Sequence, residues 1–274
     1  MMSRVIISTI ILQMKQSFAR PMFRFSLFAN PILNTILLFE MYRNSGESNF
    51  TAYVVLGSGL MAIWSCICFS SDNVRVMKHT LGLLNSALDI NRERFSGTLV
   101  LIFAAPAGFP GIVMGKIIGN TLLSLVSLGI SMTMALVFYQ VPLCIASPVY
   151  FGIALLATVL AFVAISSIIA CLLTLSRKTT LYMNCLEIPV ILLCGFVYPI
   201  EVLPNWMHFF SYLLSPSWAV ELLRMGVWGC DNSSLFWLKL SALLVLSAIY
   251  VIVSIELFRC IDQEVRVRAS LEVS

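Results

Sequence analysis

Apolar residues in this chain gather into stretches of about 20, separated by short polar breaks, and a stretch of that length crosses a hydrocarbon core of about 30 Å as a helix. Six segments read this way: Met22–Met41, Thr51–Phe69, Ile112–Phe138, Val149–Leu175, Tyr182–Tyr198 and Leu235–Leu257. The first is the most interrupted, by Arg24, Asn30, Pro31, Asn34 and Glu40. Alternation at period two, the mark of a transmembrane β-barrel, is absent. The pattern predicts an all-α membrane protein, one transmembrane domain over residues 1–274. Spans 1 and 2 fall in 22–70, spans 3 to 5 in 112–198 and span 6 in 235–258.

The polar breaks have structure of their own. Within 1–21, Ile7, Ile10, Ile11, Met14 and Phe18 recur at helical spacing while Gln13, Lys15, Gln16 and Ser17 take the other side. This describes an amphipathic helix lying along the membrane surface, or a polar lead-in to the first span. Residues 71–111 form the long interruption. Leu84, Ala87, Leu88 and Asn91 share a helix face and lead into Arg92-Glu93-Arg94. Gly97 follows as a joint, Leu99–Ala104 as a short apolar run, and Pro106, Gly108 and Pro110 as breaks. Two readings fit equally: a lever at the inner membrane face, or a long loop whose charges only set topology. Between spans 5 and 6, residues 199–230 carry Pro199, Pro204 and Pro216 with Trp206, Trp218 and Trp228. They predict short re-entrant helices closing one mouth of the bundle, in preference to a surface loop with aromatic anchors.

Composition agrees with the lipid setting. Hydrophobic residues make up 59% and charged residues 11%, against roughly 25% charged in soluble domains. Placing both termini in the cytoplasm, with 259–274 as a tail, leaves only Arg43, Arg224 and Lys239 of the 17 Lys and Arg outside. This positive-inside bias predicts a multi-pass protein of the cell membrane. It also accounts for the net charge of +4 without any nucleic-acid partner.

Catalytic chemistry finds no foothold. The two histidines, His79 and His208, lie far apart without metal-ligand spacing, and no nucleophile elbow or zinc-protease motif occurs. Gly111-Ile-Val-Met-Gly115-Lys116 has three residues between its glycines, where a phosphate loop needs four, and Ile117 follows in place of Ser or Thr. It reads as the start of span 3 with Lys116 anchoring at the interface. Of eight cysteines, Cys144 and Cys230 fall on the outer side, where a bridge between them is open. Ionisable groups inside spans are costly and default to function. Glu187, two residues before Pro189, is therefore the candidate for substrate contact, whereas Glu40 and Glu256 lie close enough to span ends to reach water.

Asn91-Arg-Glu-Arg-Phe-Ser-Gly-Thr-Leu-Val-Leu-Ile-Phe-Ala-Ala-Pro106 followed by Gly115-Lys116 resembles the signature of type-2 ABC exporter permeases, drug-type members included. Phe196-Val-Tyr-Pro199 through Trp206, then Leu214-Ser-Pro-Ser-Trp-Ala219-Val-Glu221-Leu-Leu-Arg224, is similar to the family's segment between its last two spans. The tail Arg266-Val-Arg268-Ala-Ser-Leu271 is similar to the family's basic ending. Val100 departs from the pattern, standing where an acidic residue is usual, and Ser96 adds a residue before Gly97. The resemblance implies a non-catalytic permease that moves an amphipathic substrate (drug, lipid or peptide) outward. It implies pairing with a second copy or a paralogous permease, within membrane lipid. It further implies docking on a cytoplasmic ATP-binding subunit that carries the ATP and Mg, this chain binding no cofactor itself. Leu84, Leu88, Asn91, Arg92, Glu93, Arg94, Gly97 and Thr98 would couple to that subunit, and Glu187, Phe196 and Tyr198 would line the substrate path. The competing classes are an ion-gradient transporter, which needs more buried carboxylates or histidines than Glu187 alone, and a membrane scaffold or immunity protein.

Overall fold

The computed structural model describes residues 2–19, 21–43, 50–68, 109–139, 146–175, 179–229 and 232–272, and every regular element among them is helical. In chain order these are α1 (Met2–Ala19), α2 (Pro21–Arg43), α3 (Phe50–Cys68), α4 (Phe109–Phe138), α5 (Pro148–Leu175) and α6 (Thr179–Leu193). A 3-10 turn (Ile200–Val202) follows, then α7 (Asn205–Leu213), α8 (Ser215–Trp228) and α9 (Ser233–Glu272).

Among the described residues, three segments are long and apolar enough to cross a membrane: Gly111–Phe138, Pro148–Cys171 and Ser233–Ile261. The bent pair Val5–Ala19 with Phe23–Arg43 makes a fourth if taken as one span. Of the other expected spans, α3 (Phe50–Cys68) matches the expected Thr51–Phe69 to within a residue at each end, and α6 ends at Leu193, short of the expected Tyr198. That stop has a local cause. Gly195 takes φ of 70°, a left-handed conformation open to glycine, and turns the chain away before Pro199. At the other end α9 continues unbroken past Ile261 to Glu272, so the expected tail extends the last helix.

α5 is the central post. Its spanning window is 67% buried, against 22% for that of α9. Ala154, Ala157, Ala161 and Ala164 are buried along it, and small residues let neighbouring backbones approach. α8 and α9 pack on α5, and the shared core holds the wholly buried rings of Trp64, Phe162, Phe196, Phe236 and Phe258.

The first helices meet α4 along a polar seam. Gln13 and Ser17 are buried, and Gln13 Nε2 donates to Asn120 Oδ1 at 3.2 Å while Ser17 Oγ donates to the same oxygen at 2.9 Å. Gly115 and Gly119 make room for α1: a Cβ at Gly115 would meet Thr9 Cβ at 2.8 Å, and one at Gly119 the Ile10 carbonyl at 3.1 Å. Higher on α4, Ser131 joins Thr35 of α2 (2.9 Å) and Ser58 of α3 in a buried hydroxyl cluster, with Thr35 Oγ1 3.1 Å from Ser58 Oγ. Inside lipid, where apolar burial does not drive helix association, such bonds and small residues hold helices together.

The expected polar side of α1 is divided at this seam: Gln13 and Ser17 pack inward, while Lys15 and Gln16 stand exposed beside Ile7, Ile11, Leu12 and Phe18. Helical periodicity separates two faces but does not say which one meets protein. Lys116, expected at the interface, is buried on α4.

Candidate functional site

The site is built where α3, α6, α8 and α9 converge near the start of α5. Each proline of the 199–216 segment opens a helix: Pro199 precedes the 3-10 turn, Pro204 precedes α7, and Pro216 occupies the first turn of α8. Proline suits that place because the first N–H groups of a helix have no partner within it.

α8 runs antiparallel to α5 and deep into the bundle. At its end the Gly226 and Val227 carbonyls accept from the Ser147 and Ala146 amides, and a Cβ on Gly226 would meet Phe151 Cα at 2.8 Å. At its start Ser215 Oγ donates to the Ala161 carbonyl at 3.1 Å. Ala161 lies 13 residues beyond Pro148, so the α7–α8 junction sits about 20 Å along α5 at 1.5 Å per residue. The hairpin thus descends and returns on one side of the bundle. Tyr250 of α9 donates to the Leu213 carbonyl at the turn between α7 and α8, which satisfies a backbone group that the end of α7 leaves without a helical partner.

Two charged contacts tie α8 to its surroundings. Lys239 of α9 donates to Glu221 Oε2 at 2.5 Å, with both side chains mostly buried. Arg224 is buried, and one Nη donates to the Gly195 carbonyl at 2.6 Å. Its Cζ lies 4.4 Å from the Tyr53 ring centroid, within range of a cation–π contact. Tyr53 also stands edge-on to Trp228 at 5.3 Å and stacks on Tyr42 at 6.2 Å. Tyr42 in turn donates to the Val197 carbonyl at 2.5 Å. The turn at 194–198 is pinned further by α3, because Gly57 lies so close that a Cβ there would overlap the Phe196 carbonyl oxygen.

The residues expected along the path occupy different settings. Phe196 is wholly buried, its ring 6.1 Å from Phe162, which lies 6.4 Å from Trp64. Tyr198 is half-buried at the turn, and Glu187 is half-buried on α6. Leu84, Leu88, Asn91, Arg92, Glu93, Arg94, Gly97 and Thr98 lie outside the described residues, as do Cys144 and Cys230. His208 binds the Ile200 carbonyl through Nε2 at 3.0 Å, a local bond that braces the start of the hairpin.

Sequence reasoning misses Tyr53, Lys239 and the charge of Arg224 as site residues. The available signal is Glu221 and Arg224 one turn apart in a segment that otherwise reads as apolar, with Lys239 six residues into the last helix.

Gly111–Lys116 lies inside α4, and from Val113 onward its backbone N–H groups are committed to the helix rather than splayed to cradle a phosphate. A family model described as ABC-2 type transporter matches residues 5–228. No curated protein matches the chain.

Proposed function

The chain belongs to the ABC-2 type transporter family and is a membrane permease, and on that premise we propose that it exports an amphipathic substrate, powered by a separate ATP-binding subunit. The observation that carries this reading is the α7–α8 hairpin. A helix interrupted at membrane depth is tolerated where protein shields it or where it lines a cavity, and in transporters such breaks mark the substrate route. Here α5 and α9 each supply a contact at the break, Ser215 to the Ala161 carbonyl and Tyr250 to the Leu213 carbonyl, and α8 beyond it is buried in the bundle.

In this reading six spans place both termini in the cytoplasm, in keeping with the Lys and Arg bias, and the hairpin enters from outside. Glu187 and Tyr198, both half-buried, face the path; Phe196, wholly buried, braces the turn behind Tyr198. Leu84 to Arg94 form the helix that seats in the ATP-binding subunit, with Arg92, Glu93 and Arg94 making charge-assisted contacts at its rim. Gly97 and Thr98 pass the motion to α4. ATP and Mg belong to the partner, and two permeases, identical or paralogous, complete the assembly.

The test is to purify the permease with its associated proteins and reconstitute it in vesicles. The reading predicts a co-purifying ATP-binding subunit and vanadate-sensitive, ATP-dependent movement of an amphipathic dye. Transport that follows an ion gradient and ignores vanadate would overturn it.

A further inference from the structure

Arg224 is a charge buried among mostly apolar packing at the end of α8. Its surface is 5% exposed, and no carboxylate is seen in direct contact with it among the described residues: Glu221, one turn earlier and bonded to Lys239, and Glu201 act on it only through space. A buried charge is expensive, and apolar side chains of similar volume commonly replace buried ion pairs without loss of stability. The contacts that hold Arg224 are few. One Nη reaches the Gly195 carbonyl, Tyr53 covers the guanidinium, and Nε is buried without a partner among the described residues.

These contacts join three separate elements. Arg224 belongs to α8, Gly195 to the turn after α6, and Tyr53 to the first turn of α3. Trp228, on the same helix as Arg224, meets Tyr53 from its edge. A hydrogen bond and a cation–π contact are short-ranged, so a small displacement of α8 removes both together. The same displacement admits water, and water solvates a guanidinium well. One side chain therefore has a satisfactory setting in each of two states, packed when α8 is seated and hydrated when it lifts.

We infer that Arg224 is the latch of this mouth: its grip on Gly195 and Tyr53 holds α8 shut against α3 and the α6 turn, and its release opens the exit. The inference rests on the exporter reading for the direction of opening. Next to Gly195, the Cys194 thiol is wholly buried, which makes it a native reporter of the latch.

The experiment uses the full complex in intact cells, a membrane-impermeant maleimide added outside, and peptide-resolved mass spectrometry of Cys194. Wild-type Cys194 is expected to stay protected in the absence of substrate. Arg224→Gln and Tyr53→Leu are each expected to raise its labelling rate about tenfold, the change that loss of one such contact gives. Leu223→Ala, which opens a void on the same helix without touching the latch, separates latch release from general loosening. Should Arg224→Gln fail to reach the membrane, Tyr53→Leu carries the same prediction. Protection of Cys194 in both latch variants equal to wild type would overturn the inference, as would equal labelling in Leu223→Ala. Labelling of the latch variants in inverted vesicles only would keep the latch and overturn the orientation on which the exporter reading depends.

Discussion

Ser127 of α4 donates to the Leu27 carbonyl of α2 at 3.4 Å, and this is the carbonyl that Pro31, lacking an N–H, leaves without its helical partner. A proline inside a lipid-facing helix is tolerable when a neighbour supplies the missing donor. The pair thus links the most interrupted of the expected spans to the polar seam of α4.

Removing that donor should be measurable. Ser127→Ala is expected to lower the stability of the detergent-solubilised protein by about 0.6 kcal/mol, with ~1.7 kcal/mol as the upper range for such bonds in membranes. The cost should shrink in a Pro31→Ala background, where the substituted residue supplies the N–H within α2. A double-mutant cycle by thermal unfolding reads the coupling, and additive effects would contradict the assignment.

The α1–α4 seam depends on small residues. Gly119→Leu places a branched side chain against the Ile10 carbonyl and Gln13. Overpacking of this kind costs about 1–3 kcal/mol. A disulfide between Gln13→Cys and Asn120→Cys should form readily in the otherwise unaltered protein and be lost when Gly119→Leu is added. Undiminished cross-linking would place α1 elsewhere.

Glycines outside the α1–α4 seam differ in the room around them. Gly57→Ala drives a methyl group into the Phe196 carbonyl and should destabilise the protein, with transport lost as the 194–198 turn is displaced. A methyl group added at Gly129 or Gly152 would meet nothing within 4 Å. Gly129→Ala and Gly152→Ala should therefore be neutral or stabilising by up to ~1 kcal/mol, the difference in helix propensity. Melting temperatures of the three variants decide this, and a tolerated Gly57→Ala would refute the close approach.

The Lys239–Glu221 pair predicts an asymmetry. Lys239→Met alone leaves a mostly buried carboxylate unpaired and should cost on the order of 1–3 kcal/mol. Adding Glu221→Gln removes the stranded charge and should recover most of that loss. Thermal unfolding of the single and double variants checks it; a double variant as unstable as the single would mean the pair contributes something other than mutual neutralisation.

How much of the molecule is legible in its sequence follows from locality. The long helices are visible as apolar stretches, and spacing alone excludes Gly111–Lys116 as a phosphate site. The use of Gly115 and Gly119 as a bed for α1 is not visible, because periodicity divides a helix into faces without naming the neighbour of each. The early end of α6 turns on Gly195 and its positive φ, a single-residue effect inside a continuous apolar run. Tyr53 and Arg224 lie far apart in the chain, and a lone Tyr near a helix start gives no hint of a guanidinium waiting over it. The residues proposed to couple to the ATP-binding subunit show the converse. Arg92, Glu93 and Arg94 are conspicuous as a charged break in an apolar sequence, and they lie outside the described residues.

The central claim is that this permease is driven from the cytoplasm through that charged break. The most direct measurement is the Glu93→Arg charge reversal, read by co-purification of the ATP-binding subunit and by vanadate-sensitive transport in the same preparation. The account predicts that both are lost while the permease keeps its melting temperature and membrane yield. Full docking and wild-type transport by Glu93→Arg would contradict it.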